Sequence, residues 1–290
     1  MKMLQTPVAS VLDTKIEKTI NYVRQFKGVV VALSAGVDSS LVAMLAHKAL
    51  GGRAVAATAV SESLPPGELE VAKKTAAEVG IKHVIVRTNE LQNPNYAANP
   101  DDRCYYCKDT LYRELRALAE DLGLEAILDG TQMDDLGDDR PGRRAAREAG
   151  VQSPLLEAEF SKNDVREAAR SLGLSVWDKP AMPCLSSRIP HGQNVTEEKL
   201  WAIGQAELFI KQLTGVRDLR VRHHEVLARI EVTPEERHLF FDADIMDQVD
   251  AKLRSLGFTA VTLDLRGYRK PHAEGPSEGI VLPVLNLAPK

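Results

Sequence analysis

Apolar runs alternate with segments of helical periodicity through the first half of the chain. The runs are apolar on both faces, which is typical of strands buried in a parallel sheet. Between them apolar residues recur every three or four positions, as they do in helices that pack on a core. The pattern predicts, in order, a helix beginning near Ser10, a strand at 29–33, a helix over 39–50, a strand at 54–60, a helix over 68–79, a strand at 83–87, a helix over 108–122 and a strand at 126–129. This alternation predicts an α/β fold, with a parallel sheet sandwiched by helices and ligands bound at the carboxyl ends of the strands.

The second half of the chain predicts a smaller α+β domain. Residues 175–192 contain three prolines and little periodicity, so we expect an irregular segment that joins two domains. Beyond it the pattern predicts a helix over 196–213, strands at 217–223 and 226–233, a helix over 235–256 and a strand at 258–265. We therefore expect one domain over residues 1–185 and a second over residues 186–290.

Composition and charge exclude several classes of function. The formal net charge is -4 and the isoelectric point is about 6.0, whereas proteins that grip a nucleic-acid backbone carry clustered cationic charge. No apolar stretch approaches the length that crosses a bilayer, and the N-terminus lacks the apolar core of a secretion signal. We expect a cytoplasmic protein that binds neither nucleic acid nor a membrane.

The first predicted strand ends in a loop of small and polar residues, Ser-Ala-Gly-Val-Asp-Ser-Ser, that leads directly into a helix. Backbone N–H groups and the helix dipole favour an anion at such a junction, and phosphate is the expected guest. Gly36 allows close backbone approach, while the hydroxyls of Ser34, Ser39 and Ser40 can donate hydrogen bonds. A carboxylate at Asp38 would repel phosphate unless a hard cation such as Mg²⁺ lies between them. The alternative is that Asp38 or Ser39 merely caps the helix.

The chain has three cysteines, an odd number that suits metal binding or thiol chemistry better than a disulfide framework. Cys104 and Cys107 form a CxxC motif just before or on the first turn of a predicted helix, and Cys184 lies in the irregular junction. Three thiolates could hold a [4Fe-4S] cluster whose fourth iron stays open to bind a sulfide. A closed zinc site would need a fourth ligand, such as His191 or an aspartate. Unrelated thiols are the third possibility.

Other polar residues follow the predicted strands. Gly130, after the strand at 126–129, would let the backbone approach a nucleotide, and Asp134 or Asp135 could assist in binding Mg²⁺. An acidic loop solvated at the surface is the alternative for these aspartates. Ser61 lies just past the second strand and could contact adenosine, although an isolated serine is more often a turn residue.

Four arginines are candidates to bind the phosphate of a substrate, because a guanidinium group matches phosphate oxygens in pairs. These are Arg188, Arg220, Arg222 and Arg269. Arg220 and Arg222 alternate on one predicted strand and therefore face the same side of it. From the residues alone, a solvated basic strand face is the alternative.

Several blocks of the chain resemble a known family. The loop at 34–40 resembles the SGGxDS loop (PP loop) of the ATP-pyrophosphatases, with Ala35 in place of the usual second glycine. These enzymes attach AMP to a carbonyl or carboxylate oxygen and release pyrophosphate. ILDGTQMDDLGDDRPGRRAAREAG, SPLL, WDKPAMPCLSSRIPHG, RVRHHEVLARIEV and VTLDLRGYR are similar to blocks of the LarE family of sulfur transferases.

The resemblance implies a fold and a set of nucleotide contacts. Residues 1–185 would be a PP-loop domain of the adenine nucleotide α-hydrolase-like class, and residues 186–290 a domain for substrate binding and oligomerisation. Mg²⁺ would bind near Asp38 and Asp134. The resemblance assigns ATP binding to Ser34, Gly36, Val37, Asp38, Ser39, Ser40, Ser61 and Gly130.

The resemblance also implies the chemistry. The substrate would be pyridinium-3,5-biscarboxylic acid mononucleotide, with its phosphate bound by the four arginines, and the thiocarboxylate product would serve the nickel-pincer cofactor of lactate racemase. Asp38 and Cys184 would be catalytic. Some members of the family carry only the cysteine matching Cys184 and give up its sulfur once, whereas those with a CxxC resemble cluster-dependent enzymes. We expect a [4Fe-4S] cluster on Cys104, Cys107 and Cys184, a homo-oligomer, and the nickel-inserting protein of the pathway as a partner. The rival interpretations are sacrificial transfer from Cys184, a tRNA thiolase and a non-catalytic nucleotide sensor.

Overall fold

The computed structural model describes residues 10–137 and 141–268. Within these residues the larger sheet has four parallel strands, which are β1 (Val29–Ala32), β2 (Ala54–Val60), β3 (Lys82–Arg87) and β4 (Ala126–Leu128). Their order is β3–β2–β1–β4, so the direction in which strands are added reverses between β1 and β4. Ligands of such sheets bind in the crevice at this reversal, beyond the carboxyl ends of the strands. The predicted parallel sheet is confirmed.

Helices cover both faces of the larger sheet. Those described in this half are α1 (Val11–Val23), α2 (Val37–Leu50), α3 (Glu68–Val79), α4 (Pro94–Ala97), α5 (Arg103–Asp121), α6 (Pro141–Glu148), α7 (Pro154–Glu157) and α8 (Lys162–Ser171). Val29 and Val31 belong to a core cluster that includes residues of α1, α2 and α8. Val30 packs on the opposite side, in a cluster with Tyr112 and Leu115 of α5. Burial on both faces explains why the strands are continuous apolar runs in the sequence.

Capping boxes begin α1 and α8. Ser10 Oγ accepts a hydrogen bond from the N–H of Asp13 at 3.1 Å, and the Asp13 carboxylate accepts one from the N–H of Ser10 at 3.1 Å. Ser161 and Asp164 exchange the same two bonds at the start of α8, at 3.2 and 2.8 Å. Lys15 of α1 lies 2.7 Å from the Asp164 carboxylate and joins the two helices.

A separate small mixed sheet follows, as expected for an α+β unit. Within the described part of the chain it comprises β5 (Leu219–His224), β6 (Leu227–Val232) and β7 (Ala260–Leu263), accompanied by helices α9 (Glu197–Thr214) and α10 (Ala243–Ser255). β5 pairs with β6 antiparallel, and β6 pairs with β7 parallel. Val221 and Ile230 pack with Leu253 in the core of this unit. Arg220 and Arg222 alternate with Val221 on β5 and so belong to the opposite face of the sheet.

The structure differs from the predicted elements in several places. Helices α4, α6, α7 and α8 were not predicted. The predicted helix over 235–256 is divided into a 3₁₀ helix, Pro234–Phe240, and α10, because Asp242 caps α10 by accepting from the N–H of Ile245 at 3.1 Å. Helix α5 begins at Arg103 rather than near 108, which places the CxxC motif in its first two turns. The predicted boundary at 185/186 falls within a 3₁₀ helix, Leu185–Arg188, and stays a prediction.

None of the helices in the described residues is both long enough and apolar enough to cross a membrane.

Replacing Asp164 by Asn is expected to lower stability near neutral pH and to have less effect in acid. The hydrogen bond from Lys15 is the main cause that holds the pKa of Asp164 at about 2, below its ordinary value of 3.8. A carboxyl with a depressed pKa stabilises the folded state above the unfolded value, and this stabilisation is lost as the pH falls from about 4 towards 2. Urea unfolding of both proteins at about pH 7 and about pH 3 measures the difference. Asp250→Asn, in an exposed pair on α10, is the control, and an equal loss at both pH values would contradict the prediction.

Candidate active site

A cavity of about 600 Å³ lies at the carboxyl ends of β1, β2 and β4. Its size falls within the range of pockets that bind small molecules. Ser34, which follows β1, and Ser61, which follows β2, line it. Cys104, Cys107 and Cys184 line the same cavity. The candidate nucleotide loop and the three cysteines therefore share one cavity.

The loop between β1 and α2 is held by its own hydroxyl groups. Ser39 Oγ and Ser40 Oγ both donate to the carbonyl of Gly36, at 3.1 and 2.8 Å. Ser39 Oγ also accepts from the N–H of Ser34 at 3.1 Å. Gly36 is the residue that caps α2, and no side chain caps that helix end. The first N–H groups of α2 are therefore available to an anion, and neither Asp38 nor Ser39 acts as the helix cap.

Ala35 holds the backbone of this loop in a conformation that favours glycine. Its φ is +58°, and the residue is buried with 1% exposure. Lys179 Nζ donates to the Ala35 carbonyl at 2.9 Å and lies 2.6 Å from the Glu68 carboxylate. The resembling loops carry glycine at this position because glycine adopts a positive φ without steric cost.

Gly130 lies directly against the loop. A Cβ at this position would lie 2.8 Å from the Ser39 amide nitrogen and 3.0 Å from Asp38 Cβ. The absent side chain therefore lets the end of β4 approach the start of α2. Gly130 also lines the cavity, and its predicted contact with the nucleotide stays a prediction.

The carboxylate of Asp38 is paired with a lysine that sequence reasoning missed. Lys162 Nζ, from the first turn of α8, lies 2.8 and 2.6 Å from the two Asp38 oxygens. The backbone N–H of Lys162 donates to Asp134 at 2.7 Å. Asp38 lines the cavity, and Asp135 rather than Asp134 does so on the neighbouring turn. The structure thus places Asp134 beside Lys162, and its predicted contact with Mg²⁺ stays a prediction.

The three cysteines differ in their surroundings. Cys104 is exposed, whereas Cys107 and Cys184 are partly buried. The Cys107 thiol donates to Glu90 Oε1 at an S···O distance of 3.9 Å. Burial raises the pKa of the Cys107 thiol, and the neighbouring Cys184 and Glu90 raise it further. Cys107 is therefore a thiol rather than a thiolate at neutral pH until a ligand displaces its proton.

A single metal ion does not match the arrangement of these residues. In the part of the chain that the structure describes, no three His, Cys, Asp or Glu side chains are gathered closely enough to hold one ion. His191, the candidate fourth ligand of a zinc site, donates from Nδ1 to the Pro100 carbonyl at 2.9 Å and does not line the cavity. The thiolates of an iron-sulfur cluster each bind a different iron and lie further apart than the ligands of one ion. Three thiols around one cavity fit that donor set.

Arginines hold the segment that carries Cys184. Its main-chain carbonyls accept hydrogen bonds from four guanidinium groups: Ala181 from Arg220 at 2.6 Å, Pro183 and Cys184 from Arg188 at 2.7 and 3.1 Å, Ser186 from Arg103 at 2.8 Å, and Ser187 from Arg222 at 2.8 Å. Arg103 belongs to α5, whereas Arg220 and Arg222 belong to β5. The segment is therefore held by helix α5 and by strand β5 of the small sheet, and its position sets the position of the Cys184 sulfur.

Arg188 is the most enclosed of these groups. Its side chain is buried, and it pairs with both oxygens of Glu207 at 2.8 and 3.0 Å. Its Nη1 donates to the Pro183 and Cys184 carbonyls and to Ser187 Oγ. In this conformation Arg188 is occupied by protein acceptors, and its predicted contact with a substrate phosphate stays a prediction.

The other predicted phosphate ligands have different environments. Arg220 is buried and lies over the Tyr268 ring, 4.8 Å from its centroid, while its Nε has no acceptor. Arg222 donates to Glu231 at 2.9 Å and remains 26% exposed. Arg269 lies outside the described residues. Of the described candidates, Arg222 is the most open to a ligand.

Sequence reasoning missed several residues of the cavity and its walls. Arg103 directly precedes the CxxC motif, and Glu90 follows β3 at the same edge of the sheet as Ser61. The sequence could have identified both as candidate site residues, because charged residues after parallel strands or beside cysteines often belong to a site. It offered no such pattern for Lys162, since Lys162 contacts Asp38 only through the packing of α8 on α2.

Comparison with known proteins identifies the family of this chain. A family model described as NAD synthase matches residues 8–102, which include the loop and the first three strands. Pyridinium-3,5-bisthiocarboxylic acid mononucleotide synthase of Lactiplantibacillus plantarum is 38% identical over 262 residues, which are 89% of this chain and 93% of that protein. The chain belongs to the LarE family. The predicted family is thus confirmed.

Two further relatives show how much of the chain the similarity covers. An uncharacterized protein of Synechocystis is 47% identical over 258 residues, covering 89% of this chain and 96% of that protein. An uncharacterized protein of Methanocaldococcus jannaschii is 26% identical over 243 residues, covering 84% and 91%. Both halves of the chain are therefore shared with these relatives. The NAD synthase match agrees with the PP-loop domain expected of the LarE family, which uses ATP.

Gly130→Ala is expected to lower the free energy of unfolding by about 2 kcal/mol, because the new methyl group meets backbone atoms that cannot move cheaply. The same clash displaces the first N–H groups of α2, so ATP binding should weaken as well. Gly52→Ala is the matched control, because a Cβ there meets no atom within 4 Å. Chemical unfolding and equilibrium ATP binding measure both effects. Equal behaviour of the two variants would contradict the close approach.

Arg188→Lys is expected to release the Cys184 segment, because a lysine cannot hold Glu207 and the two carbonyls together. Alkylation of Cys184, followed by peptide mass spectrometry, should then be at least about fivefold faster, since breaking a buried pair costs several kcal/mol. Glu207→Gln repeats the test if Arg188→Lys does not fold. Arg254→Lys, in an exposed pair with Asp250, is the control. Unchanged alkylation with a raised KM for the phosphorylated substrate would instead identify Arg188 as a phosphate ligand.

Proposed function

We propose that this protein is an ATP-dependent sulfur insertase. It activates the carboxylates of pyridinium-3,5-biscarboxylic acid mononucleotide with ATP and converts them to thiocarboxylates. The observation that carries the proposal is that Cys104, Cys107 and Cys184 line the same cavity as the nucleotide loop. The name of the Lactiplantibacillus relative, a synthase of the bisthiocarboxylic acid mononucleotide, supports the substrate.

The phosphates of ATP bind at the start of α2 in this proposal, where the helix end has no side-chain cap. The contacts are assigned to Ser34, Gly36, Val37, Asp38, Ser39 and Ser40, with the adenosine near Ser61 and Gly130. Asp38 and Asp134 carry the hard oxygen ligands that Mg²⁺ prefers, and the ion would supply charge neutralisation for the phosphates. Lys162, now bound to Asp38, can turn to a phosphate oxygen when a cation replaces it on the carboxylate.

The reaction then has two displacements. A carboxylate oxygen of the pyridinium substrate forms a bond to the α-phosphorus of ATP, the bond from that phosphorus to the bridging oxygen breaks, and pyrophosphate leaves. A sulfur nucleophile next attacks the carbonyl carbon of the acyl-adenylate, and AMP leaves with the electron pair of the C–O bond. The arginines that donate hydrogen bonds to the main chain of residues 181–187 hold the sulfur source beside the nucleotide loop in this proposal. Arg222 is the most exposed of the described candidates for the substrate phosphate, and Arg188, Arg220 and Arg269 are further candidates.

Three cysteines in one cavity fit an iron-sulfur cluster better than one metal ion. A [4Fe-4S] cluster on Cys104, Cys107 and Cys184 would supply sulfide from an iron that carries no protein ligand. The protein would bind the cluster through three thiolates, and the Cys107 thiol would lose its proton when it becomes a ligand. The alternative sulfur source is Cys184 itself, which would be consumed in one turnover.

The remaining parts of the proposal concern the whole protein. Residues 1–185 would form the nucleotide domain and residues 186–290 a domain for substrate binding and oligomerisation. The product, with its two thiocarboxylates, suits a nickel-inserting protein as the next partner, since soft sulfur ligands bind nickel. We also propose a homo-oligomer, which sedimentation can test.

Pyrophosphate release should depend on the pyridinium mononucleotide under anaerobic conditions. Cys104→Ala should reduce the sulfur transferred to at most about one atom per chain, because the cluster would lose a thiolate. Pyrophosphate release and product mass spectrometry measure these outcomes, and iron with acid-labile sulfide measures the cluster. Ser255→Ala, on the surface of α10, is the control for substitution alone.

Other outcomes would contradict the proposal in distinguishable ways. Release that depends on tRNA would identify a tRNA thiolase, and no release with any acceptor would identify a nucleotide sensor. Multiple turnover by Cys104→Ala would show that the CxxC motif is not needed. Loss of hydrogen sulfide from Cys184 in the intact protein, without iron, would establish the sacrificial route instead.

A further inference from the structure

Glu90 is a buried carboxylate at the cysteine end of the cavity. It lies in a short 3₁₀ helix, Glu90–Gln92, that follows β3, and only 5% of it is exposed. Its Oε1 accepts from Ser61 Oγ at 3.3 Å and from the Cys107 thiol at 3.9 Å. Its Oε2 is buried and has no hydrogen-bond partner. Glu90 lines the cavity together with Cys107 and Cys184.

The other carboxylates that line this cavity have partners within the described residues. Asp38 pairs with Lys162 and Glu68 with Lys179, both at 2.6 Å. Asp129 accepts from Thr131 and Ser153, and Asp135 accepts from the N–H of Gln132.

Glu90 has no cationic partner within 4.0 Å among the residues that the structure describes. Lys108, which follows Cys107 on α5, lies instead over the Tyr112 ring, 5.6 Å from its centroid. A buried carboxylate without a counter-charge is costly, and its field is weakly screened in a low-dielectric site. Such a group is stabilised when a cation enters the cavity.

A metal ion is not the cation that this arrangement favours. No three potential ligands are gathered around one point within residues 10–137 and 141–268. Oε2 is also covered by protein. A ligand in the cavity therefore interacts with the charge of this oxygen at a distance and does not form a direct bond to it. A cation without N–H donors, whose charge is spread over a flat ring, is suited to such a field.

We propose that Glu90 is the counter-charge that selects a cationic pyridinium ring over a neutral ring of the same shape. This inference rests on the proposed function, in which a carboxylate attached to that ring must reach the sulfur at Cys107 and Cys184. The ring then lies within a few ångströms of the cysteines and of Glu90. The buried Tyr96, which also lines the cavity, adds an aromatic wall that favours a cation.

Glu90→Gln tests the charge with little change in shape. The probes are pyridinium-3,5-biscarboxylic acid mononucleotide and its 1,4-dihydropyridine form, which carries the same substituents on a neutral ring. Equilibrium binding is measured without ATP, so that no chemistry intervenes. Both probes carry the same two carboxylates, so the repulsion of these carboxylates by Glu90 cancels in the ratio of the two dissociation constants. We expect Glu90→Gln to lower the preference for the cationic form about tenfold.

Matched variants separate charge from packing. Glu90→Asp keeps the charge and should keep the preference for the cationic form, whereas Glu70→Gln, exposed on α3, should behave as the wild type. Glu90→Met fills the space without a charge and repeats the test if Glu90→Gln does not fold.

Equal losses for both probes, an unchanged preference in Glu90→Gln, or a wild-type protein that binds both forms equally would overturn the inference. Thiocarboxylate formation by the wild-type protein is assayed separately, so failure of the proposed function is distinguishable from failure of the role of Glu90.

Discussion

The buried pair of Arg188 and Glu207 is the interaction on which the arrangement of the site depends. Two charges removed from water are costly unless their geometry is good and their remaining donors and acceptors are satisfied. Both conditions hold, because the guanidinium meets both carboxylate oxygens and two main-chain carbonyls. Glu207 in turn accepts from the N–H of Val221 at 3.0 Å, which fixes α9 to β5. One ion pair thus joins the small sheet, a long helix and the segment that carries Cys184.

In the nucleotide loop, favourable contacts likewise offset a cost, which here is the backbone strain at Ala35. A non-glycine residue at positive φ costs about 1 kcal/mol. Burying the Ala35 methyl group returns about 0.8 kcal/mol, and a hydrogen bond to a charged group contributes about 1.5 kcal/mol or more. The burial of Ala35 and the bond from Lys179 to its carbonyl therefore offset the strain. This explains how the chain tolerates alanine where related loops carry glycine.

The sequence predicted the structure best where a short pattern of residues determines one helix or strand. Val29, Val30 and Val31 are buried on alternate faces of the sheet, so their uninterrupted run predicts a strand covered on both sides. The capping box at Ser10 and Asp13 is likewise local, and the start of the first helix near Ser10 was predicted correctly. Helix α8 carries the same box at Ser161 and Asp164, so its start was open to prediction although it was missed.

The side-chain partners could not be predicted in this way. Arg188 and Glu207 lie 19 residues apart, and Lys162 and Asp38 lie 124 apart, so only the packed fold brings each pair together. The sequence does not distinguish an arginine that binds main-chain carbonyls from an arginine that binds phosphate. Arginines near a predicted site therefore identify a region of the molecule, and the acceptors around each one decide what it can hold.

The two ends of the cavity differ in charge, and this difference bears on where each proposed substrate would bind. At the loop end Lys162 and Lys179 accompany the carboxylates of Asp38 and Glu68, and the uncapped start of α2 favours anions. At the cysteine end Glu90 presents a carboxylate that has no cation within 4.0 Å among the described residues, although Arg103 and Lys108 also line this end of the cavity. A polyphosphate at the cysteine end would face this charge in a weakly screened space, whereas a cationic ring there would be stabilised by it. Under the proposed function, these fixed charges would keep ATP at the loop and would direct a pyridinium ring towards the thiols, with its carboxylate between the two.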